Sequence, residues 1–309
     1  MNTEYFIMQE DLDMDINDLN IPDISLEESN ILFFFIEITR YIQELEKLFR
    51  IYRCNLNIMN NYCTLYNDDT IECKYDYSED SFIVINSLVI NLISSGKTLI
   101  ESIENFIKFL TNYVEGYSSN FKKDYLSKTY DECFSYKFLL NLRNYSQHGH
   151  LPVSNSVESK FCFDLNQIIN TPHFNIKKSI EDELVNLIEE IYNKYKGYPY
   201  IMFTRTIAEY NYCIHKLYAE FFDSIEQVFN DTLLEVEGLL KRRPELIYNS
   251  KNSLNENILI KDESGHIHCF RYSNLETRKM FRDFKEKSRS YLDEKKTEFE
   301  LLNKSIILK

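Results

Sequence analysis

The chain has 309 residues and a formal net charge of −14, with 49 acidic against 35 basic side chains. This length allows one large core or two modest domains. The acidic average excludes a uniformly basic surface, but it does not exclude nucleic-acid binding, because binding depends on local phosphate contacts. With only six Gly and five Pro, the composition favours long uninterrupted helices over a turn-rich β fold.

The first 30 residues are strongly acidic, with nine Asp or Glu and no Lys or Arg. We predict an acidic N-terminal tail over 1–30, disordered or loosely docked. A sharper hypothesis is that this tail mimics a polyanion and covers a basic groove until activation. No early segment combines a basic start with an apolar run, and the apolar stretches elsewhere are interrupted by polar residues. We therefore expect no signal peptide, no membrane contact and a cytoplasmic location.

Residues 31–240 have the periodicity of a helical domain. Apolar residues at helical spacing predict one long helix from Ile31 to about Ile58, and a second one that begins at Ser78 or Asp80 and reaches Leu110. Between them, a polar stretch leaves room for short strands around Thr70 to Tyr75. Lys160 to Asp164 reads as one short strand or an extended cover. A very long helix is expected from Pro199 to about Leu240.

Residues 241–309 are basic, with 16 Lys or Arg against 11 Asp or Glu. Asn257–Ile260 and His266–Phe270 flank a turn that contains Gly265, which predicts a β-hairpin. A last helix is expected from Asn274 to about Leu302. The prediction for the whole chain is an all-α fold with long helices, a small C-terminal hairpin and a terminal helix.

The last predicted helix has a basic stripe, because four cations recur at spacings of four, three and four residues. The simplest interpretation is a solvated charged face. The alternative is contact with an RNA backbone, together with the basic run that ends the preceding helix. These candidate RNA-binding residues are Arg278, Arg282, Lys285, Arg289, Lys241, Arg242 and Arg243.

A further motif lies at the end of an apolar helical pattern that includes Phe138 and Leu142. Arg143, Asn144 and His148 follow there, before the helix-stop signals Gly149 and Pro152. An imidazole moves protons near neutral pH, and a guanidinium holds a phosphate through forked donors. These residue types suit cleavage of RNA without a metal. The alternative is an Arg on a solvated face and a His favoured by the helix dipole.

The segment Leu142-Arg143-Asn144-Tyr145-Ser146-Gln147-His148 resembles the RNxxxH motif of the HEPN superfamily, and most closely a group of uncharacterised bacterial members. The resemblance covers roughly residues 82–165 and is specific only at the motif. It implies a HEPN-like helical bundle and a metal-independent endoribonuclease with no cofactor. It also implies that Arg143, Asn144 and His148 are catalytic, and that the protein is a toxin or phage-defence effector, with an antitoxin or other defence protein as a partner.

The spacing of the motif has a geometric consequence. Arg143 and His148 lie about 140° apart around an ideal helix, so one chain does not present both on one face. A homodimer about a two-fold axis would bring two Arg–His sets into one composite site, as HEPN ribonucleases do. His150 is the spare candidate for a proton-transfer role.

Two other functional hypotheses remain open: a non-catalytic HEPN-like module for dimerisation or partner binding, and a helical structural protein in which Arg143 is only an ion-pair partner. Two apparent sites are set aside. Gly96-Lys97-Thr98 lacks the first glycine of a phosphate-binding loop and lies in a helical pattern. His266 and His268 lack further zinc ligands nearby, so no metal site is expected. The seven Cys form no CxxC pair and suggest reduced thiols.

Overall fold

The structure is a computed structural model that describes residues 22–65, 71–73, 79–114, 117–147, 150–157, 160–171, 178–248, 256–261 and 267–301. Helices dominate these residues, and the strands are short and antiparallel. The all-α prediction with a C-terminal hairpin and a terminal helix is therefore confirmed. The HEPN-like arrangement of the helices stays a prediction.

The helices are α1 (Leu26–Tyr62), α2 (Glu79–Tyr113), α3 (Lys128–Glu132), α4 (Phe134–Gln147), α5 (Leu165–Ile169), α6 (Lys178–Glu190), α7 (Phe203–Arg242) and α8 (Asn274–Leu301). π-Helical turns span Lys122–Ser127 and Ile191–Tyr195, and a 3-10 turn spans Pro244–Leu246. The strands are β1 (Cys63–Leu65), β2 (Ile71–Cys73), β3 (Asn155–Val157), β4 (Lys160–Asp164), β5 (Tyr200–Met202), β6 (Ile247–Tyr248), β7 (Glu256–Lys261) and β8 (Ile267–Tyr272). They form three sheets in the orders β1-β2, β3-β4-β5 and β6-β7-β8.

The chain divides into two compact units. One contains the described residues up to Glu44 together with Ile225–Glu286, and we call it unit 1. The other contains Leu45–Ser224 and the described residues from Lys287 onward, and we call it unit 2. The predicted motif and α2 lie in unit 2, and the C-terminal hairpin lies in unit 1.

Unit 1 begins with a capping box at the start of α1. The Ser25 backbone N–H donates to Glu28 Oε2 (2.9 Å), and the Glu28 N–H donates to Ser25 Oγ (3.2 Å). This reciprocal pair satisfies two helix-end donors, so α1 begins at Leu26, five residues before the predicted start. The hairpin pairs Glu256 with Tyr272 through to Lys261 with Ile267. The core of unit 1 includes Ile258 and Ile260 of this hairpin. In the same unit, Phe229 of α7 stacks on Phe281 of α8 with ring centroids 4.2 Å apart.

Unit 2 has a core of aromatic and aliphatic side chains from α1, α2, α4 and α7. Phe49 stacks on Tyr218 with ring centroids 3.8 Å apart, and Phe106 lies 5.6 Å from Phe221. The apolar stripe of α2 is buried in this core; its members include Ile85, Val89, Leu92, Leu99, Ile103, Phe106 and Leu110. Burial of a continuous stripe on each helix explains why their periodicity was readable from the sequence.

Helix α2 also passes a test for membrane spans that rests on length and composition. Asp80–Tyr113 contains an 18-residue window with a mean hydropathy of 1.5, and 44% of that window is buried. A core helix passes the same test, and the fully buried stripe places α2 in a protein core. The expected cytoplasmic location stays a prediction.

Candidate functional site

Helix α4 carries the predicted motif. Its apolar face, with Phe138, Leu139, Leu142 and Tyr145, is buried in unit 2. The helix is described as far as Gln147. His148 and Gly149 lie outside the described residues, so the structure does not place the predicted catalytic imidazole.

Arg143 lies on the side of α4 that faces aromatic side chains. Its Nε is buried and has no hydrogen-bond partner among the described residues. Tyr136, two turns earlier on α4, stacks on Tyr210 of α7 with ring centroids 6.0 Å apart. Burial raises the pKa of Tyr210 well above its ordinary value, and the charge of Arg143 opposes this rise. Arg143 therefore places its charge beside a buried phenol.

Arg143 differs from three other arginines of the predicted sites, while Arg242 and Arg282 are exposed. Arg278, Arg289 and Arg243 all form ion pairs with carboxylates, whereas Arg143 forms none with the described residues. A guanidinium that has no carboxylate partner keeps its charge for an external anion, which would reach Arg143 through its terminal Nη donors because Nε is buried. Among the predicted site residues that the structure describes, Arg143 is thus well suited to a phosphate.

The other described members of the motif lie on different sides of α4. Asn144 is exposed. The His150 ring packs against the Tyr145 ring with centroids 4.9 Å apart. Tyr145 follows Arg143 by two residues, which turns it about 200° around the helix. His150 is therefore placed on the far side of α4 from Arg143, and within one chain it is poorly placed to act on a phosphate that Arg143 holds.

The predicted basic stripe of α8 faces carboxylates of α7. In unit 1, Arg278 Nη2 lies 2.9 Å from Glu237 Oε1, and Lys285 Nζ lies 2.8 Å from Glu226 Oε2. In unit 2, Arg289 pairs with Asp223. Arg282 is exposed. Three of the four stripe cations are thus paired with carboxylates of α7 in partly exposed ion pairs, which leaves Arg282 as the exposed member of the stripe.

The basic residues at the end of α7, Lys241, Arg242 and Arg243, lie in different environments. Arg243 Nη1 donates to both carboxylate oxygens of Glu28 (2.9 and 2.8 Å), and Arg243 Nη2 donates to the Asp23 carbonyl (2.8 Å). Arg243 thus ties the end of α7 to the capping box of α1. Lys241 and Arg242 are exposed on the last turn of α7, and they keep their charge for a partner.

His215 of α7 is a buried titratable group in unit 2. Its Nδ1 lies 2.8 Å from the Asn211 carbonyl, so Nδ1 carries a proton, and Nε2 has no partner among the described residues. Phe49 packs edge-on against the imidazole at 5.2 Å. Burial lowers the pKa of His215 from 6.5 to about 4. The ring is therefore neutral at physiological pH, and no local sequence signal predicts this.

A comparison with known proteins finds no matching protein family, no matching curated protein and no matching solved structure. The resemblance to HEPN proteins therefore rests on the residues of the motif. In the part of the chain that the structure describes, no group of three or more His, Cys, Asp or Glu is arranged to hold a metal ion.

Proposed function

We propose that the protein is a metal-independent endoribonuclease of HEPN type. The observation that carries this proposal is Arg143, a partly exposed arginine near the end of α4 that has no carboxylate partner among the described residues. Such a guanidinium is suited to the charge that develops on a phosphate in the transition state. The choice of RNA as the substrate comes from the motif resemblance.

The proposed reaction uses the RNA 2′-hydroxyl as the nucleophile. One imidazole, His148, removes the proton from the 2′-hydroxyl or returns one to the leaving 5′-oxygen. Attack forms the bond from O2′ to phosphorus and breaks the bond from phosphorus to O5′. The products are a 2′,3′-cyclic phosphate and a 5′-hydroxyl. Arg143 stabilises the phosphorane, and the exposed Asn144 orients the phosphate or the imidazole.

The proposed active form is a homodimer. On an ideal helix Arg143 and His148 would lie about 140° apart, so we propose that a second copy completes each site. We expect the two α4 ends to face one cleft across a two-fold axis. The biological role that fits is a toxin or phage-defence effector, which an antitoxin or other defence partner holds inactive.

The test is cleavage of total cellular RNA in EDTA by the wild type, His148→Ala and the matched control His150→Ala. Loss of a general acid or base lowers the rate by about 10²- to 10⁴-fold, so we expect this loss in His148→Ala and near-normal cleavage in His150→Ala. The products must carry cyclic-phosphate ends. Equal cleavage by the wild type and His148→Ala would exclude His148 as the proton carrier.

A mixing experiment tests the composite site. Arg143→Ala and His148→Ala protomers are each inactive alone, but a mixed dimer that uses Arg143 of one copy and His148 of the other keeps one intact site. Random pairing then restores about a quarter of the wild-type activity. Dimerisation of both variants without any restored cleavage would place each Arg–His set within one chain.

A second candidate function is a non-catalytic partner-binding module. Two observations favour it: the ion pairs that occupy most of the α8 stripe, and an open groove in unit 1 beside Leu26 and Leu234, which are 65% and 57% exposed. Exposed apolar surface of this kind is typical of protein interaction sites. Dimerisation or partner capture that Arg143→Ala leaves intact, with no RNA cleavage by any variant, would favour this function.

A further inference from the structure

Two cysteines that are far apart in the sequence meet in the core of unit 2. Cys213 Sγ lies 3.2 Å from Cys133 Sγ, and the two residues are 80 positions apart. Both are free thiols. We propose that Cys133 and Cys213 form a reversible disulfide when a peroxide oxidises the protein. This inference does not depend on the proposed nuclease function.

The backbone around Cys133 can accommodate the bond. Cys133 is the single residue between α3 and α4, and its backbone is extended (φ −110°, ψ 105°). The sulfurs must approach from 3.2 Å to about 2.05 Å. We expect rotation of the Cys133 side chain, which lies at the junction of two helices, to close this gap of about 1 Å.

The surroundings assign different roles to the two sulfurs. Cys133 Sγ accepts a hydrogen bond from the Tyr136 backbone N–H (3.4 Å) and one from the Cys213 thiol (3.2 Å). Cys133 also lies directly before Phe134, the first residue of α4, and is more exposed than Cys213. We therefore assign the first attack on peroxide to the Cys133 sulfur. The hydrogen bond to Cys133, together with burial, raises the pKa of the Cys213 thiol, so Cys213 is the second partner, which resolves the intermediate.

The chemistry balances with hydrogen peroxide as the oxidant. The Cys133 sulfur attacks one peroxide oxygen and breaks the O–O bond, which gives a sulfenic acid and, after proton transfer, one water. Cys213 then attacks the Cys133 sulfur, the S–S bond forms, and the sulfenic oxygen leaves as a second water. Both sulfurs are oxidised, and the peroxide is reduced.

Both cysteines lie in the core, with Cys133 9% exposed and Cys213 5% exposed. We therefore expect a small oxidant such as peroxide to react with the pair more readily than bulky reagents do. Cys162 is the contrasting case, because it is fully buried and burial raises its pKa to about 12. Cys54 is exposed and is the surface reference. Oxidation of the pair would tie the start of α4, ten residues before Arg143, to α7.

The test is differential alkylation of the full-length protein after graded exposure to hydrogen peroxide. Free thiols are blocked in denaturant, disulfides are then reduced, and the newly released thiols are labelled and mapped by peptide mass spectrometry. We expect Cys133 and Cys213 to become protected together and to be released by dithiothreitol, and we expect a digest of the unreduced protein to contain their two peptides as one cross-linked pair. Cys162 is expected to stay reduced. Cys63 and Cys73 face each other in register across β1 and β2, so the mapping must resolve their peptides separately.

The variants Cys133→Ser and Cys213→Ser complete the test, with Cys162→Ser as the matched control. Either of the first two must abolish the cross-linked peptide pair, and Cys162→Ser must leave that cross-link unchanged. Helical content by circular dichroism shows which variants fold. The wild-type map is decisive even if a variant does not fold. Two results would overturn the proposal. One is protection of Cys133 and Cys213 that dithiothreitol does not reverse. The other is that both cysteines can still be alkylated when Cys54 is fully oxidised.

Discussion

Gly96 allows α2 to approach α7 closely, and adding one methyl group there tests this packing. A Cβ on Gly96 would overlap the Tyr210 hydroxyl and lie 3.2 Å from both the Tyr210 ring carbon Cζ and the Tyr52 ring. Both tyrosines are fully buried, so neither can move into solvent. Gly96→Ala is therefore an overpacking substitution in the core of unit 2.

The magnitude follows from three contributions. Overpacking costs about 1–3 kcal/mol. Displacement of the Tyr210 hydroxyl weakens its hydrogen bond to the Ile93 carbonyl (3.4 Å), which costs up to about 1 kcal/mol. The better helix propensity of Ala returns about 1 kcal/mol. We expect Gly96→Ala to lower the free energy of unfolding by about 2 kcal/mol.

The assay is urea unfolding followed by far-ultraviolet circular dichroism, because the chain has no Trp to report by fluorescence. Gly238→Ala in α7 is the matched control: its new Cβ meets only Arg242 Nη1 at 3.6 Å, so we expect it to stabilise by about 0.5–1 kcal/mol. In a Tyr210→Phe background the overlap disappears, and Gly96→Ala should cost at least about 1 kcal/mol less. Equal effects of Gly96→Ala in both backgrounds would refute the packing argument.

Three further predictions concern other buried or paired groups. Because the folded-state pKa of His215 is about 4 against 6.5, the unfolded state takes up the proton first. Stability should therefore fall as pH drops from 6.5 to 4, by about 3 kcal/mol more in the wild type than in His215→Gln, measured by urea unfolding at each pH. The buried Lys137 Nζ lies 2.5 Å from Glu183 Oε1. Glu183→Ala would leave this buried charge without a partner, so it should lower the free energy of unfolding by about 3 kcal/mol in the same assay, and the double variant Lys137→Met/Glu183→Leu should lower it much less. Equal losses in the two variants would contradict this explanation. Arg243→Ala should lower the urea midpoint of unfolding. When Glu28→Gln is added to Arg243→Ala, the midpoint should fall little further, because the Arg243–Glu28 pair is already lost. Additive losses would contradict this pair.

The long helices were predictable because each has one continuous apolar stripe. The predicted last helix, from Asn274 to about Leu302, is observed at Asn274–Leu301, and the predicted hairpin strands differ from β7 and β8 by only one or two residues. The start of α7 was missed. Pro199 suits the first turn of a helix, but Tyr200–Met202 pairs with β4, Met202 opposite Cys162, so the helix begins at Phe203. Pairing with a distant strand overrode the local preference.

The candidate site was only partly predictable, because its contacts depend on distant residues. The motif identifies Arg143, but no local pattern indicates that its Nε would be buried without a described partner. The spacing of the basic residues of α8 predicted a stripe on one face. It could not predict the carboxylates of α7 that pair with this stripe, because they are about 40 to 70 positions away in the sequence, as Glu237 is from Arg278. For the same reason, the pairing of Cys133 with Cys213 has no sequence signal.

The most direct test of the proposed function compares two arginines in one RNA cleavage assay in EDTA. Arg143→Ala removes an arginine that has no carboxylate partner among the described residues, and Arg289→Ala removes one that pairs with Asp223. Loss of a donor that stabilises the transition state costs about 10²- to 10³-fold in rate. We predict that loss for Arg143→Ala and a near-normal rate for Arg289→Ala, with both variants folded and dimeric. Cleavage by Arg143→Ala at the wild-type rate would contradict the proposal.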